Sequence, residues 1–339
     1  MKLYPKSVSQ IWVFSACVLV LAVTSHVTAQ QRGNSVRNPR PPGPKVRFVS
    51  GDSALKIPLE IDNNIILMLV RVNGSQPLKF IFDTGASASL LNQSKATELG
   101  LKAKGRASGD ATGGKIQVSL IRGVSLSVEG AEVSNQTIAS MRIPTPPGFE
   151  FDGIVGFDFI NQFVVEIDYR SKTMNLYNPR TYTYSGSGEV IPLILDGRRI
   201  PHAHANLSLE GRTPVRAELE VDTGADGTFV INTPFVRKHG LLAAVPKTVA
   251  ADRNGAGGQQ KVLVGRAKSV QLGRFIIKDP PVALSFDTEG SGASEESDGV
   301  IGGEVFRRFK LILDYSRKRM ILEPNEDFDD PFDIENTGE

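Results

Sequence analysis

Short apolar runs, many alternating with polar residues, recur along this chain between clusters of Gly, Pro, Asn and Asp. A period of two is the pattern of half-buried strands, since successive side chains point to opposite faces. Ile65–Val72 and Leu78–Phe82 are rich in β-branched and aromatic residues, and Asn73-Gly74 marks a turn between them. Residues 202–209 and Val215–Val221 play the same parts later on, and Leu126 with Val128, then Val270 with Leu272, continue the pattern. Two places carry helix punctuation instead. One short helix is expected to begin near Ser94 and stop at Gly100; another has Thr233 as cap, Pro234 at its first position and Gly240 as its stop. The fold class predicted is all-β: two small tandem β-barrels with little helix.

The pattern is written twice. Asp152-Gly-Ile-Val-Gly156 matches Asp298-Gly-Val-Ile-Gly302, and the match runs on without a gap at a constant offset of 146 through Phe163/Phe309, Asp168/Asp314, Tyr169/Tyr315 and Met174/Met320. Upstream, Ile57-Pro58-Leu59 with Asp62 matches Ile191-Pro192-Leu193 with Asp196 at 134. Between them, Asp83-Thr84-Gly85-Ala86 matches Asp222-Thr223-Gly224-Ala225 at 139, and Gly113-Gly114 matches Gly257-Gly258 at 144. Matched blocks in one order, with the drift absorbed in loops, identify a tandem duplication. The expected units are a lobe over 52–180 and a second over 185–325, with an acidic tail at 326–339 that reads as frayed and solvated.

The N-terminus changes the picture of where the chain works. Lys2 and Lys6 precede an apolar run over 11–23, and Val27-Thr28-Ala29 offers small residues for cleavage. This is the pattern of an export signal over 1–29, followed by a Pro- and Gly-rich flexible linker over 30–51. The mature chain is therefore expected to be secreted or periplasmic and free of the membrane. Cleavage removes two lysines and no acid, leaving 37 basic and 37 acidic residues. That balance gives no electrostatic reason to expect nucleic acid as a partner. The single cysteine, Cys17, leaves with the signal, so the mature chain holds no disulfide.

The chemistry is concentrated where each copy runs from an apolar strand into Asp-Thr-Gly-Ala: Phe80-Ile81-Phe82-Asp83 and Leu219-Glu220-Val221-Asp222. Gly85 and Gly224 permit a sharp turn and close backbone approach. Thr84 and Thr223 can hydrogen-bond across the lobes and tie the loops together. Two carboxyl groups in contact do not both ionise cheaply, so one keeps a proton. The ionised member can then deprotonate a water while the protonated one hydrogen-bonds a substrate carbonyl. Neither a nucleophilic side chain nor a cofactor is required.

Asp83-Thr-Gly-Ala-Ser87 and Asp222-Thr-Gly-Ala-Asp226 resemble the active-site loops of aspartic proteases, above all the retropepsin-like group. The later Gly153-Ile-Val-Gly156 and Gly299-Val-Ile-Gly302 extend the resemblance, which covers nearly all of 52–325. It implies acid-protease-like lobes with ψ-loops, Asp83 and Asp222 as the catalytic pair, and a polypeptide substrate. Hairpin flaps are implied, with tips at 109–114 and 254–258, so that Gly113, Gly114, Gly257 and Gly258 are flap candidates. Ser87 resembles the residue that hydrogen-bonds the adjacent carboxylate, and Asp226 the acid that binds substrate backbone. Viral members usually carry Arg after the later glycine, where this chain has Phe157 and Gly303, which leaves Asp226 without an obvious partner.

Full duplication in one chain predicts activity as a monomer. The alternative is a catalytically silent peptide-binding module of the same fold, against which two intact loops argue. His202 and His204 share a strand face but lack the further ligands a metal site needs, so no metal is assigned. Asp327, Asp329, Asp330 and Asp333 match no calcium-loop spacing.

Overall fold

The computed structural model describes residues 43–145, 148–195, 197 and 199–332, together with the backbone of Val13–Ser15. The described strands form three sheets, and the helices among them are short. Nine strands between Lys45 and Val155 make the first sheet, and strands between Ile194 and Ile301, joined by Val13–Ser15, make an eleven-stranded second. The fold is the two-lobed, strand-rich one that the duplicated pattern predicts.

The third sheet belongs to both lobes. Its six strands run in the order Glu189–Pro192, Arg319–Pro324, Phe309–Asp314, Val164–Asp168, Thr173–Tyr177, Ser53–Pro58. At its centre Val164 lies opposite Asp314 and Asp168 opposite Lys310. Those residues are related by the repeat offset of 146, so a pseudo-twofold axis passes between Glu166 and Ile312. Outward from it, Met174 faces Ile57 on one side and Met320 faces Ile191 on the other. One apolar core runs through both lobes and this shared sheet, from Phe80 and Phe82 through Phe163 to Phe309 and Leu322. A smaller one, with Ile65, Ile81, Ala111 and Ile116, lies under the first lobe's long hairpin.

Each lobe's ψ-motif follows from its glycines. Gly153–Val155 pairs in parallel with Leu78–Phe82 and antiparallel with Leu90–Asn92. Gly299–Ile301 repeats this between Val215–Val221 and Phe229–Ile231. A Cβ on Gly153 would meet the Leu90 carbonyl at 2.6 Å, and one on Gly156 the Ala86 carbonyl at 2.8 Å. Only glycine lets the strand thread so close behind the loop. The acid before it closes the entry: Lys79 N–H donates to Asp152 Oδ2 at 2.9 Å, and Glu218 N–H to Asp298 Oδ2 at 2.8 Å.

Several expectations change at the edges. The linker expected over 30–51 ends early, because Lys45–Phe48 pairs with Ala131–Met141 and Phe48 packs its ring on Phe163 at 5.7 Å. Residues 326–332 are docked rather than frayed. Arg308, 1% exposed, donates to the carbonyls of Asp327, Phe328 and Asp330 and lies 3.9 Å from the Phe332 ring centroid. Helix caps fall earlier than expected, at Asn92 for Gln93–Glu98 and Asn232 for Thr233–Lys238, while Gly100 and Gly240 stop the helices in left-handed conformation. Apart from the backbone of Val13–Ser15, which pairs in parallel with Val249–Gly255, the segment expected to be an export signal lies outside the described residues. So do Asp196 and Asp333.

Candidate active site

Asp83 and Asp222 end equivalent strands, Leu78–Phe82 and Val215–Val221, and each is fully buried. The ψ-strand holds each in place: Asp83 N–H donates to the Val155 carbonyl and Asp222 N–H to that of Ile301, both at 3.0 Å. Beyond the acid, Gly85 N–H donates to Asp83 Oδ1 and Gly224 N–H to Asp222 Oδ1, both at 2.8 Å. A side chain on Gly85 would strike the Asp222 carboxyl carbon at 2.7 Å, so this glycine is what admits the opposite lobe's acid.

Thr84 and Thr223 lock the loops reciprocally. Thr223 N–H donates to Thr84 Oγ1 at 2.9 Å, and Thr84 N–H to Thr223 Oγ1 at 3.2 Å. Each hydroxyl in turn donates to a carbonyl of the other lobe, Thr84 to Val221 at 2.5 Å and Thr223 to Phe82 at 2.8 Å. Every donor and acceptor of the lock is thus satisfied away from water.

The electrostatics of the pair are set by burial. No N–H or O–H donor from outside the pair reaches Oδ2 of either acid among the described residues. Burial pushes Asp83 well above the ordinary carboxylate range, and the facing charge of Asp222 pushes it further. Burial also raises Asp222, to about 6, against the opposing pull of hydrogen bonding from Asp83 and Gly224 N–H and of the Arg253 charge. Beneath them the hydroxyls of Tyr169 and Tyr315 are also pushed up by burial, so both tyrosines stay neutral. Burial of both groups therefore favours keeping a proton on the pair.

The flap candidates sit where two hairpins meet. Arg106–Ala111 and Gly114–Val128 form the first, Val249–Gly255 and Gly258–Arg266 the second. Thr112-Gly113 and Ala256-Gly257 make their tips, and Gly257 N–H donates to the Thr112 carbonyl at 2.9 Å. Gly113 is packed against the backbone of Gly258, and Gly114 against that of Gly257. The loop after Pro281–Ser285 braces the first tip, with Thr112 Oγ1 3.3 Å from Ser291 Oγ.

Two supporting residues differ from expectation. Ser87 is buried, but its hydroxyl meets no partner among the described residues. Gly85 N–H donates to Asp83 Oδ1, and the next serine, Ser89, donates its hydroxyl to Asp158 Oδ1 at 2.5 Å. Asp226 does have a charged neighbour: Arg253, buried on the second flap. The position of the viral arginine is closed to any side chain, since a Cβ on Gly303 would meet the Asn64 carbonyl at 2.5 Å. Asn64 also crosses between lobes to donate to the Asp226 carbonyl at 3.0 Å. His202 is buried with Nδ1 2.8 Å from Glu218 Oε1, whereas His204 is exposed. Among the described residues no group of three or more His, Cys, Asp or Glu is arranged to hold a metal.

Motif matching missed Arg253 because it looks for sameness between the copies, and Arg253 stands where they differ. The pair Asp152 and Asp298 was visible in the repeat, but its service to the neighbouring strand was not.

Comparison with known proteins agrees with this geometry. A family model described as aspartyl protease matches residues 68–159 and 205–305. Among solved structures, the aspartic proteinase from Irpex lacteus matches with a TM-score of 0.52, covering 81% of this chain and 98% of that one. At 15% identity this is a likeness of fold. No curated protein matches. The two matched segments each contain one Asp-Thr-Gly loop and the ψ-strand behind it, and the chain belongs to the aspartyl protease family.

Proposed function

We propose that the protein is an aspartic endopeptidase that hydrolyses peptide bonds with a water activated by Asp83 and Asp222. The observation that carries this reading is the pair of buried carboxyls, each held by one backbone N–H and both pushed toward retaining protons. The ionised acid takes a proton from water, which attacks the scissile carbonyl. The protonated acid donates to that carbonyl oxygen, giving a tetrahedral gem-diol. Proton return to the leaving nitrogen then breaks the C–N bond. Hydrogen bonds that hold both acids before substrate arrives reduce reorganisation during the step.

The substrate is an extended polypeptide lying as an added strand beneath the two flaps, whose backbone edges supply the pairing. Both acids come from one chain, so a monomer is active. The sequence pattern of 1–29 supports action outside the cytosol after cleavage behind Ala29; mass spectrometry of the exported protein should then find Gln30 at its N-terminus. Incubation with a peptide library across pH tests the activity. Wild-type protein should cleave, and Asp83→Asn and Asp222→Asn should each abolish cleavage. Binding of a statine-type transition-state mimic without any turnover would instead mark a silent peptide-binding module.

A further inference from the structure

The loop that leads into the ψ-strand differs between the lobes. In the first, residues 142–151 run from Ala131–Met141 to Asp152 and carry Pro144, Pro146 and Pro147. In the second, residues 286–297 run from Pro281–Ser285 to Asp298, hold no proline, and carry Gly290, Gly292, Ser291, Ser294 and Ser297. Proline stiffens the first loop, whereas the second keeps the backbone freedom of its glycines.

The second loop spans from one flap to the other. Its root is tied to the second flap, where Gln260 Nε2 donates to Asp287 Oδ2 at 2.6 Å and to Ser285 Oγ at 3.2 Å. Its far end is tied to the strand before Asp222, where Ser297 Oγ donates to Glu220 Oε1 at 2.8 Å. Between these anchors a 3-10 turn over Ser291–Ala293 makes a crest, with Ala293 N–H donating to the Gly290 carbonyl at 3.2 Å. The crest reaches the first flap: Ser291 Oγ lies 3.3 Å from Thr112 Oγ1. Gly290 stands at a φ of +73°, and a Cβ on it would meet the Ala111 carbonyl oxygen at 2.7 Å and Gly114 N at 2.8 Å. The two flap tips are thus seated differently. Ala256 of the second packs against the first lobe's small apolar cluster. The first tip meets the crest through a hydroxyl pair and close backbone, and none of residues 286–297 joins an apolar cluster among the described residues.

We infer that 286–297 is a latch on the first flap: its crest, set on Thr112 and Gly114, holds the first tip against the second, and release of the crest opens the first flap to an extended substrate. This rests on the peptidase reading above and adds to it what governs entry to the site. Gly290 and Ser291 are half-buried. A polar contact at such a place, with no apolar area from the loop behind it, opens locally without unfolding a lobe. The anchors at Asp287 and Ser297 keep the ends of the loop in place while the crest moves.

The test is a cysteine pair, Thr112→Cys with Ser291→Cys, in a chain whose single native cysteine is removed by Cys17→Ser. Oxidised glutathione should join the two thiols and fix the latch shut, and dithiothreitol should release it. The joined protein should cleave a fluorogenic peptide with kcat/KM at least about tenfold below its reduced form, and reduction should restore the rate. A joined protein, verified by mass, that cleaves as fast as the reduced one would overturn the inference. Thiols that fail to join would also overturn it, because the crest would then not rest on the tip in solution. A second measurement needs no turnover. In Gly290→Val the added side chain lifts the crest, and hydrogen exchange at residues 109–116 should rise about tenfold over wild type. Exchange at Val164–Asp168 and Phe309–Asp314 should stay as it was. An unchanged tip, or a rise spread equally over that central sheet, would contradict a latch. Faster exchange confined to the tip, in a protein that cleaves no peptide at any pH, keeps the latch and loses the peptidase reading.

Discussion

Gly257 at the tip of the second flap donates its N–H to the carbonyl of Thr112 at the tip of the first, at 2.9 Å. The two flap tips, one from each lobe, therefore meet by backbone contact. A Cβ on Gly257 would meet Gly114 N at 2.5 Å and its carbonyl oxygen at 2.6 Å. The backbone at Gly257 is not in the left-handed region, so alanine there is opposed by this contact rather than by its own conformation. Gly257→Ala should lower kcat/KM about tenfold, equivalent to about 1.4 kcal/mol in the barrier. Its melting temperature should match wild type, because the tip carries little core. Unchanged kinetics would mean that tip contact plays no part in turnover.

Thr84→Val tests the lock between the lobes. It leaves the Thr223 N–H without its acceptor and the Val221 carbonyl without its donor, both in a buried place. Two buried groups left unpaired should cost about 2–4 kcal/mol. Urea unfolding would show this as a lower midpoint, and Thr84→Ser, which keeps the hydroxyl, should recover most of it. A valine variant as stable as wild type would show that the reciprocal bonds do not hold the lobes together.

Much of this site was legible because it is repeated. Asp83 and Asp222, their glycines and the ψ-strand glycines occur in the same order in both copies; Gly153, Gly156, Gly299 and Gly302 each answer a close backbone contact, and Gly85 admits the Asp222 carboxyl. The shared six-stranded sheet was not legible in the same way. Val164–Asp168 and Phe309–Asp314 read as ordinary apolar strands, and nothing local says that they pair with each other rather than within their lobes. Arg308 was hidden for a related reason: its acceptors are main-chain carbonyls, which every residue has. The resemblance puts the hydroxyl of Ser87 on Asp83, but that hydroxyl meets no partner among the described residues.

Arg308 makes the C-terminal segment part of the fold. Besides its three carbonyls in 327–330, it pairs with Glu304 through Nη2 at 2.9 Å. Arg308→Ala would leave these carbonyls without their donor and uncover Phe332, while Glu304 keeps its pair with Arg307. The loss should be about 3–5 kcal/mol, the scale for removing one partner of a buried pair. Asp327→Asn, which touches only a partly exposed pair with Arg170, should cost no more than about 1 kcal/mol. Thermal and urea unfolding of both variants check the contrast, and equal losses would contradict it.

The pair should make the protein less stable as pH rises, opposite in sense to ordinary acid unfolding. Asp222 is raised from 3.8 to about 6 in the folded protein, and Asp83 is raised well above its ordinary value. Below about pH 4 these groups are protonated in folded and unfolded chains alike, so they contribute no pH dependence. Above it the unfolded chain releases their protons first. The folded state then holds more protons, and stability falls with pH until each folded group ionises. For Asp222 that window runs from about 4 to about 6, and the movement is worth on the order of 3 kcal/mol. Asp222→Asn removes this penalty and also the charge that raises Asp83. The Asp222→Asn variant should therefore be more stable than wild type at pH 7, by a few kcal/mol, and the gain should vanish near pH 4. Urea unfolding of both proteins at the two pH values measures it. A variant no more stable than wild type at pH 7 would mean that the folded site bears no cost for ionising its acids.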